Sequence, residues 1–166
     1  IQRKIDNFDE TYPARGISVV TKAWTDPVFK SALKKDAKSA IHDMGIHLES
    51  FADIICFAHD DDTHHMVVCT LCSCYPRTLL GMPPAWYKSR SYRSRVVHEP
   101  RKVLAEFGTL IPDGKNLRVH DSNADMRYLI LPEKPEGTEG WSESDLSRLI
   151  SRDHLVGVRL PKINTN

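Results

Sequence analysis

Two rhythms of apolar residues run through this chain, one helical and one alternating. Ile1, Ile5 and Phe8 recur at helical spacing, and Pro13 with Gly16 reads as the stop of that first pattern. The clearest helix opens at Asp26-Pro27. Asp26 can cap the first turn, and Pro27 gives up an N–H that the first turn does not use. Phe29, Leu33, Ala37, Ala40, Ile41 and Met44 form its apolar face, the Lys/Asp-rich face opposite is solvated, and Gly45 ends it. Ile54 to Ala58 is an unbroken apolar run, the pattern of a buried strand, with Cys56 as a core residue. His59 to His65 reads as a polar turn before the strand Met66-Val67-Val68. Its residue types suit a metal, but neighbours on an extended run point to opposite faces and converge poorly.

Beyond residue 75 the pattern is choppier. Leu79 to Trp86 is rich in Pro and Gly and leads into a short helix near Tyr87. Glu99-Pro100 opens another helix, with Val103, Leu104 and Phe107 inward and Gly108 as its stop. Leu117 to His120 and Arg127 to Leu131 read as strands joined by turn residues Asp121 to Asp125, which predicts a hairpin. Ser142 with Asp145 resembles a capping box before Leu146, Leu149 and Ile150. Leu155 to Val158 reads as a last short strand, and residues 161–166 as a loose tail. Helices and strands interleave without a βαβ repeat or a phosphate-binding glycine loop, so the expected class is α+β. The expected division is a helical arm over residues 1–16 and a metal-binding catalytic domain over 17–166.

Composition narrows the function without naming it. The 166 residues carry a net charge of +1, so bulk charge argues for neither nucleic acid nor an anionic membrane as partner. No apolar run approaches the ~18 residues of a membrane span, and the N-terminal residues do not read as a secretion signal. Arg90, Arg93, Arg95 and Arg101 fall short of a basic patch. They are better read as contacts to a partner subunit and as hydrogen bonds that hold an anionic site.

The chemistry lies in Cys69-Thr70-Leu71-Cys72-Ser73-Cys74, which holds three of the four cysteines within six residues. Cys72 and Cys74 are too close to pair comfortably as a disulfide, and clustered thiols suggest metal binding in a reducing compartment, here the cytoplasm. The usual zinc pattern sets two ligand pairs across a longer loop, which this chain lacks. If both Cys72 and Cys74 bind one ion, the amide nitrogens of Ser73 and Cys74 are carried to the same ion. Two sulfurs and two nitrogens then form a square plane, Cys69 supplies an axial sulfur, and the sixth position stays open. Such donors suit a trivalent, redox-capable ion such as cobalt or iron better than Mg or Ca. The expected metal ligands are Cys69, Cys72, Ser73 and Cys74, and the expected catalytic residues Cys74 and Ser73. The competing reading is an interaction module holding zinc, with His65 as the fourth ligand.

This segment closely resembles the metal claw of the nitrile hydratase alpha-subunit family, which includes the thiocyanate hydrolase gamma subunit. Thr70 matches the cobalt form, where the iron form usually has Ser, so the resemblance implies trivalent cobalt, one ion per subunit, with iron second. The resemblance extends to Val20-Thr21-Lys22-Ala23-Trp24-Thr25-Asp26-Pro27, to Leu80-Gly81-Met82-Pro83-Pro84-Ala85-Trp86-Tyr87-Lys88 and Tyr92-Arg93-Ser94-Arg95, to Arg127 through Pro132, and to Gly137 through Trp141. It implies an α-β-β-α layered domain, a helical arm that wraps a beta-type partner subunit, a cobalt-insertion activator protein, and hydration of a nitrile to an amide. It also implies Cys72 as sulfinate and Cys74 as sulfenate, with Cys69 left as thiolate and arginines of the partner protecting the oxidised sulfurs. Tyr75 and Arg77 flank the claw as candidate pocket residues. Many relatives carry an aromatic or small residue near position 77, so Arg77 leaves thiocyanate open as the substrate. His154 stands where relatives often have Cys and reads as a structural exchange.

Overall fold

The computed structural model describes residues 2–164, with side chains from Ala14 onward. The first element is longer than the pattern implies. Helix α1 runs without a break from Gln2 to Thr25, through both Pro13 and Gly16. Proline inside a helix costs about 3 kcal/mol, and here the packing that follows outweighs it. Val19, Val20 and Ala23 are fully buried, and the Trp24 indole donates to the Pro132 carbonyl at 2.7 Å. Gly16 is a contact residue, not a stop. A Cβ there would lie 2.9 Å from Leu155, Leu80 and the Leu79 carbonyl. The side chains of Ile1, Ile5 and Phe8 lie outside the described residues.

Asp26 caps α2 (Pro27–Lys35), accepting from the Phe29 amide at 3.0 Å. The expected single helix is broken once. Asp36 ends α2 and caps α3 (Ala37–Asp43), accepting from the Ser39 amide. Both halves still bury the predicted face, with Phe29, Leu33, Ala37, Ala40 and Ile41 in the core.

Two pairs of parallel strands follow. β1 (Asp53–Ala58) pairs with β4 (Met126–Leu131), and β2 (Thr63–Val68) pairs with β3 (Asn116–Asp121). The expected β3–β4 hairpin does not form. Asn123 builds a turn, its side chain accepting from the amides of Asp125 and Met126, and that turn carries the chain from one sheet to the other. Alternation shows which face of a strand is buried, not which strand lies beside it. The two pairs meet through rings. Phe57 of β1 stacks on His120 of β3 at 4.0 Å, and His120 also touches His65 of β2 and Tyr128 of β4.

The polar turn before β2 shrinks to Asp60–Asp62, with Asp60 accepting from the amides of Asp62 and Thr63. The flanking histidines belong to the interior. His59, His64 and His65 are buried, and His59 stacks on His64 at 4.0 Å.

Short helices connect the rest: α4 (Arg77–Leu80), α5 (Ala85–Lys88), α6 (Arg90–Arg95), α7 (Pro100–Glu106) and α8 (Glu143–Ser147). Ser142 caps α8 as its spacing with Asp145 predicts. The predicted last strand is instead helix α9 (Arg152–Val156). Its start is fixed by His154, whose Nδ1 accepts from the Ser151 amide at 2.8 Å, and its end by Gly157 at φ +87°. No helix among the described residues is long and apolar enough to cross a membrane. The tail is not wholly loose, since Pro161 is buried; Thr165 and Asn166 lie outside the described residues.

Candidate metal centre

Strand β2 delivers the cysteine segment. Val68, its last residue, is fully buried, and its carbonyl accepts from the Ser122 amide at 2.7 Å. Cys69 follows, also fully buried, and there the chain leaves the sheet. Three side chains hold the emerging loop. Asp121, at the end of β3, accepts from the Thr70 amide at 2.9 Å and from the Thr70 hydroxyl at 2.6 Å. Arg93 of α6 donates to the carbonyls of Cys69 and Thr70 at 3.1 and 2.8 Å. Tyr87 of α5 donates to the Cys74 carbonyl at 2.8 Å.

Between these anchors the three thiols turn inward. Cys69 Sγ lies 3.4 Å from Cys72 Sγ, and Cys72 Sγ lies 3.2 Å from Cys74 Sγ. The Cys72 amide donates to Cys69 Sγ at 3.3 Å. All four cysteines are free thiols. Cys69, Cys72 and Cys74 form the one cluster of His, Cys or acidic side chains among the described residues whose ligand atoms all lie within 4.8 Å. His65 does not join it, because His65 Nδ1 is 2.9 Å from His120 Nε2.

Electrostatics separates the thiols. Contacts from Cys74 and then Cys69 hold the Cys72 pKa down to about 7, and the amide N–H groups of Ser73 and Cys74 add to that stabilisation. Burial pushes the Cys74 thiol up to about 12, with the neighbouring thiols reinforcing it. The main-chain link between Cys72 and Cys74 carries two amides, those of Ser73 and Cys74. Soft thiolates joined by amide nitrogens fit a redox-capable, Lewis-acidic transition metal and suit Mg or Ca poorly.

Beside the thiols opens a cleft of about 290 Å³, lined by Glu49, Phe51, Cys72, Ser73, Cys74, Tyr75, Arg77 and Arg127. Tyr75 and Arg77 are where the sequence places them. Glu49, Phe51 and Arg127 are additional and carry no local signal, since they reach the cleft from the loop before β1 and from β4. The Arg127 guanidinium sits over the Phe51 ring at 5.9 Å. Leu71 and Phe51 are 82% and 67% exposed, so the rim of the site is apolar as well as charged. Of the sequence-predicted arginines, Arg93 holds the loop and Arg95 pairs with Glu99 and Glu106. Arg101 caps carbonyls of Ile111, Pro112 and Lys115.

The family model described as nitrile hydratase, alpha chain, matches residues 1–159. The high-molecular weight cobalt-containing nitrile hydratase subunit alpha of Rhodococcus rhodochrous is 50% identical over 160 residues, covering 95% of this chain and 79% of that protein. The thiocyanate hydrolase subunit gamma of Thiobacillus thioparus is 41% identical over 161 residues, 90% of this chain and 66% of that one. Among solved structures, a recombinant thiocyanate hydrolase with partially modified cobalt centres superposes with a TM-score of 0.88 at 39% identity, covering 97% of this chain and 80% of that one. An iron-type nitrile hydratase of Comamonas testosteroni Ni1 superposes with a TM-score of 0.86 at 36% identity, covering 100% and 87%.

Proposed function

Since the chain belongs to the nitrile hydratase alpha-chain family, we propose that it is the cobalt-binding catalytic subunit of a nitrile hydratase, converting a nitrile to the corresponding amide. One observation carries the reading: three thiols gather within 4.8 Å of one another, and Cys72, Ser73 and Cys74 line the wall of a cleft. Cys69, Cys72 and Cys74 would supply sulfur, and Ser73 and Cys74 main-chain nitrogen. A trivalent cobalt bound there, one per subunit, supplies the Lewis acidity that polarises a nitrile or acidifies water.

The chain's own residues do the rest. Cys74, carried as a sulfenate, puts an oxygen beside the cleft, where it attacks the nitrile carbon or takes a proton from water. When water attacks, its oxygen forms the new carbon–oxygen bond and its two protons end on the nitrile nitrogen, giving the amide; when the sulfenate attacks, its oxygen leaves in the amide as the sulfur–oxygen bond breaks, and a water adding at sulfur restores the sulfenate and supplies the two protons. Cys72, carried as a sulfinate, donates less electron density than a thiolate. Ser73 borders the cleft, and its hydroxyl is positioned to contact substrate or water. A sulfenate is normally transient and a sulfinate a dead end, so both need protecting cations, which a beta-type partner subunit would supply in a hetero-oligomer. In keeping with the family, residues 1–16 serve as an arm on that partner, the domain stacks as α-β-β-α, a cobalt-insertion activator loads the site, and the protein works in the cytoplasm.

A second reading has its own observation. Arg77 and Arg127 both line the cleft, and two guanidinium groups favour an anion. Thiocyanate would then be hydrated on to carbonyl sulfide and ammonia. Co-expression with partner subunits in cobalt medium separates the readings by product. Metal analysis with intact-peptide mass tests them both. Cobalt with oxygen added at Cys72 and Cys74 supports the enzyme, whereas zinc on unmodified thiols identifies a closed structural site.

A further inference from the structure

The anchors of the cysteine loop are unevenly placed. Asp121 and Arg93 fix its start, and Tyr87 alone fixes its end. Among the described residues no side chain reaches the carbonyls of Leu71, Cys72 or Ser73. The clamped ends therefore enclose a free middle, and that middle carries the main-chain amides of Ser73 and Cys74.

Tyr87 is built for this task. It is fully buried at 0% exposure, in a short helix that starts directly after Pro83-Pro84. Its ring stands edge-on to Tyr75 at 5.0 Å and to Trp86 at 6.0 Å. Trp86 in turn packs edge-on against Tyr92 at 5.0 Å and Phe107 at 4.8 Å. A phenol held by such a block has little freedom, so the position of its hydroxyl sets the position of the Cys74 carbonyl. Ordering one residue of backbone costs about 1–2 kcal/mol. A loop ordered beforehand is spared that cost when its ligand arrives.

We propose that Tyr87 and Arg93 are positioning residues of the metal centre. By clamping the carbonyls at the two ends of the loop, they present the Ser73 and Cys74 nitrogens in ligating geometry before the ion binds. The inference rests on the reading of the cluster as a cobalt site.

The test uses the chain co-expressed with its partner subunit at limiting cobalt. The variants are Tyr87→Phe, Arg93→Lys and Tyr92→Phe. Tyr92 is the matched control: it is a buried phenol in the same aromatic block, but it donates to the Val67 carbonyl of β2 at 2.6 Å and not to the loop. Thermal melting, cobalt per chain and the sulfur-to-cobalt absorption band are read together. Tyr87→Phe and Tyr92→Phe should melt at similarly lowered temperatures. Only Tyr87→Phe and Arg93→Lys should lose cobalt occupancy, by about tenfold for one hydrogen bond near 1.4 kcal/mol, and show a changed band. If Tyr87→Phe fails to accumulate, Arg93→Lys carries the test. Unchanged occupancy and spectrum in the folded loop variants overturn the proposal, as does an equal loss in Tyr92→Phe, which would reveal a merely structural role. Zinc on unmodified thiols in the wild-type protein would instead overturn the cobalt reading, and the positioning role with it.

Discussion

Gly157→Ala should be strongly destabilising, although it adds a single methyl away from the thiols. Gly157 follows α9 at φ +87°, where an L side chain costs about 1–2 kcal/mol. Space is the larger difficulty. A Cβ there would lie 2.1 Å from the His65 carbonyl oxygen and 2.9 Å from Met66 Cα. Both are backbone atoms of β2, so no side-chain rotation relieves the overlap. Moving α9 away would also strain the bond between His64 Nε2 and the Gly157 carbonyl, 2.7 Å. Overpacking of this kind costs about 1–3 kcal/mol, so the total is about 2–5 kcal/mol. At about 2–4 °C per kcal/mol for a chain of this size, the melting temperature should fall by roughly 4–20 °C. Gly45→Ala is the control: φ is +79° and nothing lies within 4 Å, so only the conformational cost remains. Melts of both variants isolate the steric part. Because β2 leads straight into Cys69, Gly157→Ala should also lower cobalt content. A Gly157→Ala protein as stable as Gly45→Ala would show that α9 does not press on β2 as described.

Three other outcomes follow from the structure. Burial holds the pKa of His59 down to about 2 and that of His64 to about 4, against about 6.5 once unfolded; the unfolded chain therefore binds more protons below pH 6.5, and stability should fall from pH 6.5 towards pH 4 by about 2–3 kcal/mol per pH unit, read by denaturant melts across that range. Arg77→Gln should lower kcat/KM for an anionic substrate by about tenfold, more steeply at low salt, while a neutral nitrile changes little; equal losses for both would remove Arg77 from substrate recognition. Cys56 is buried with its thiol pushed up to about 12, so alkylation of the native protein should leave it unmodified, and labelling there at the rate of an unfolded control would contradict its place in the core.

Much of this was legible in the residues. The thiol cluster was legible because its three cysteines lie within six residues. The capped starts of α2 and α8 and the proline start of α7 were legible for the same reason, since such signals are local. Non-local pairing was not. β3 and β4 look like a hairpin because five turn residues separate them, yet each pairs with a strand more than fifty positions earlier. Leu155 to Val158 has a strand's composition, but Ser151 and His154 start a helix there through one side-chain bond. His59, His64 and His65 look polar and are buried: His64 Nε2 bonds to the Gly157 carbonyl, His65 Nδ1 pairs with His120 Nε2, and His59 Nδ1 accepts from the His65 amide while its Nε2 is left without a partner among the described residues. Asp121 looked like a turn residue, and only its register opposite Val68 shows that it reaches Thr70.

The order of the pieces along the chain has a consequence for how the protein is made. Cys69 to Cys74 leave the ribosome ahead of Tyr87, Arg93 and Asp121, and β2 waits for β3 before it has a neighbour. Translation proceeds at about 5–20 residues per second, so the nascent thiols spend seconds as an unstructured tripod. In that interval any soft cation can be captured through sulfur alone, without the main chain. Fidelity in choosing the ion thus depends on keeping metal away until the last strand has closed.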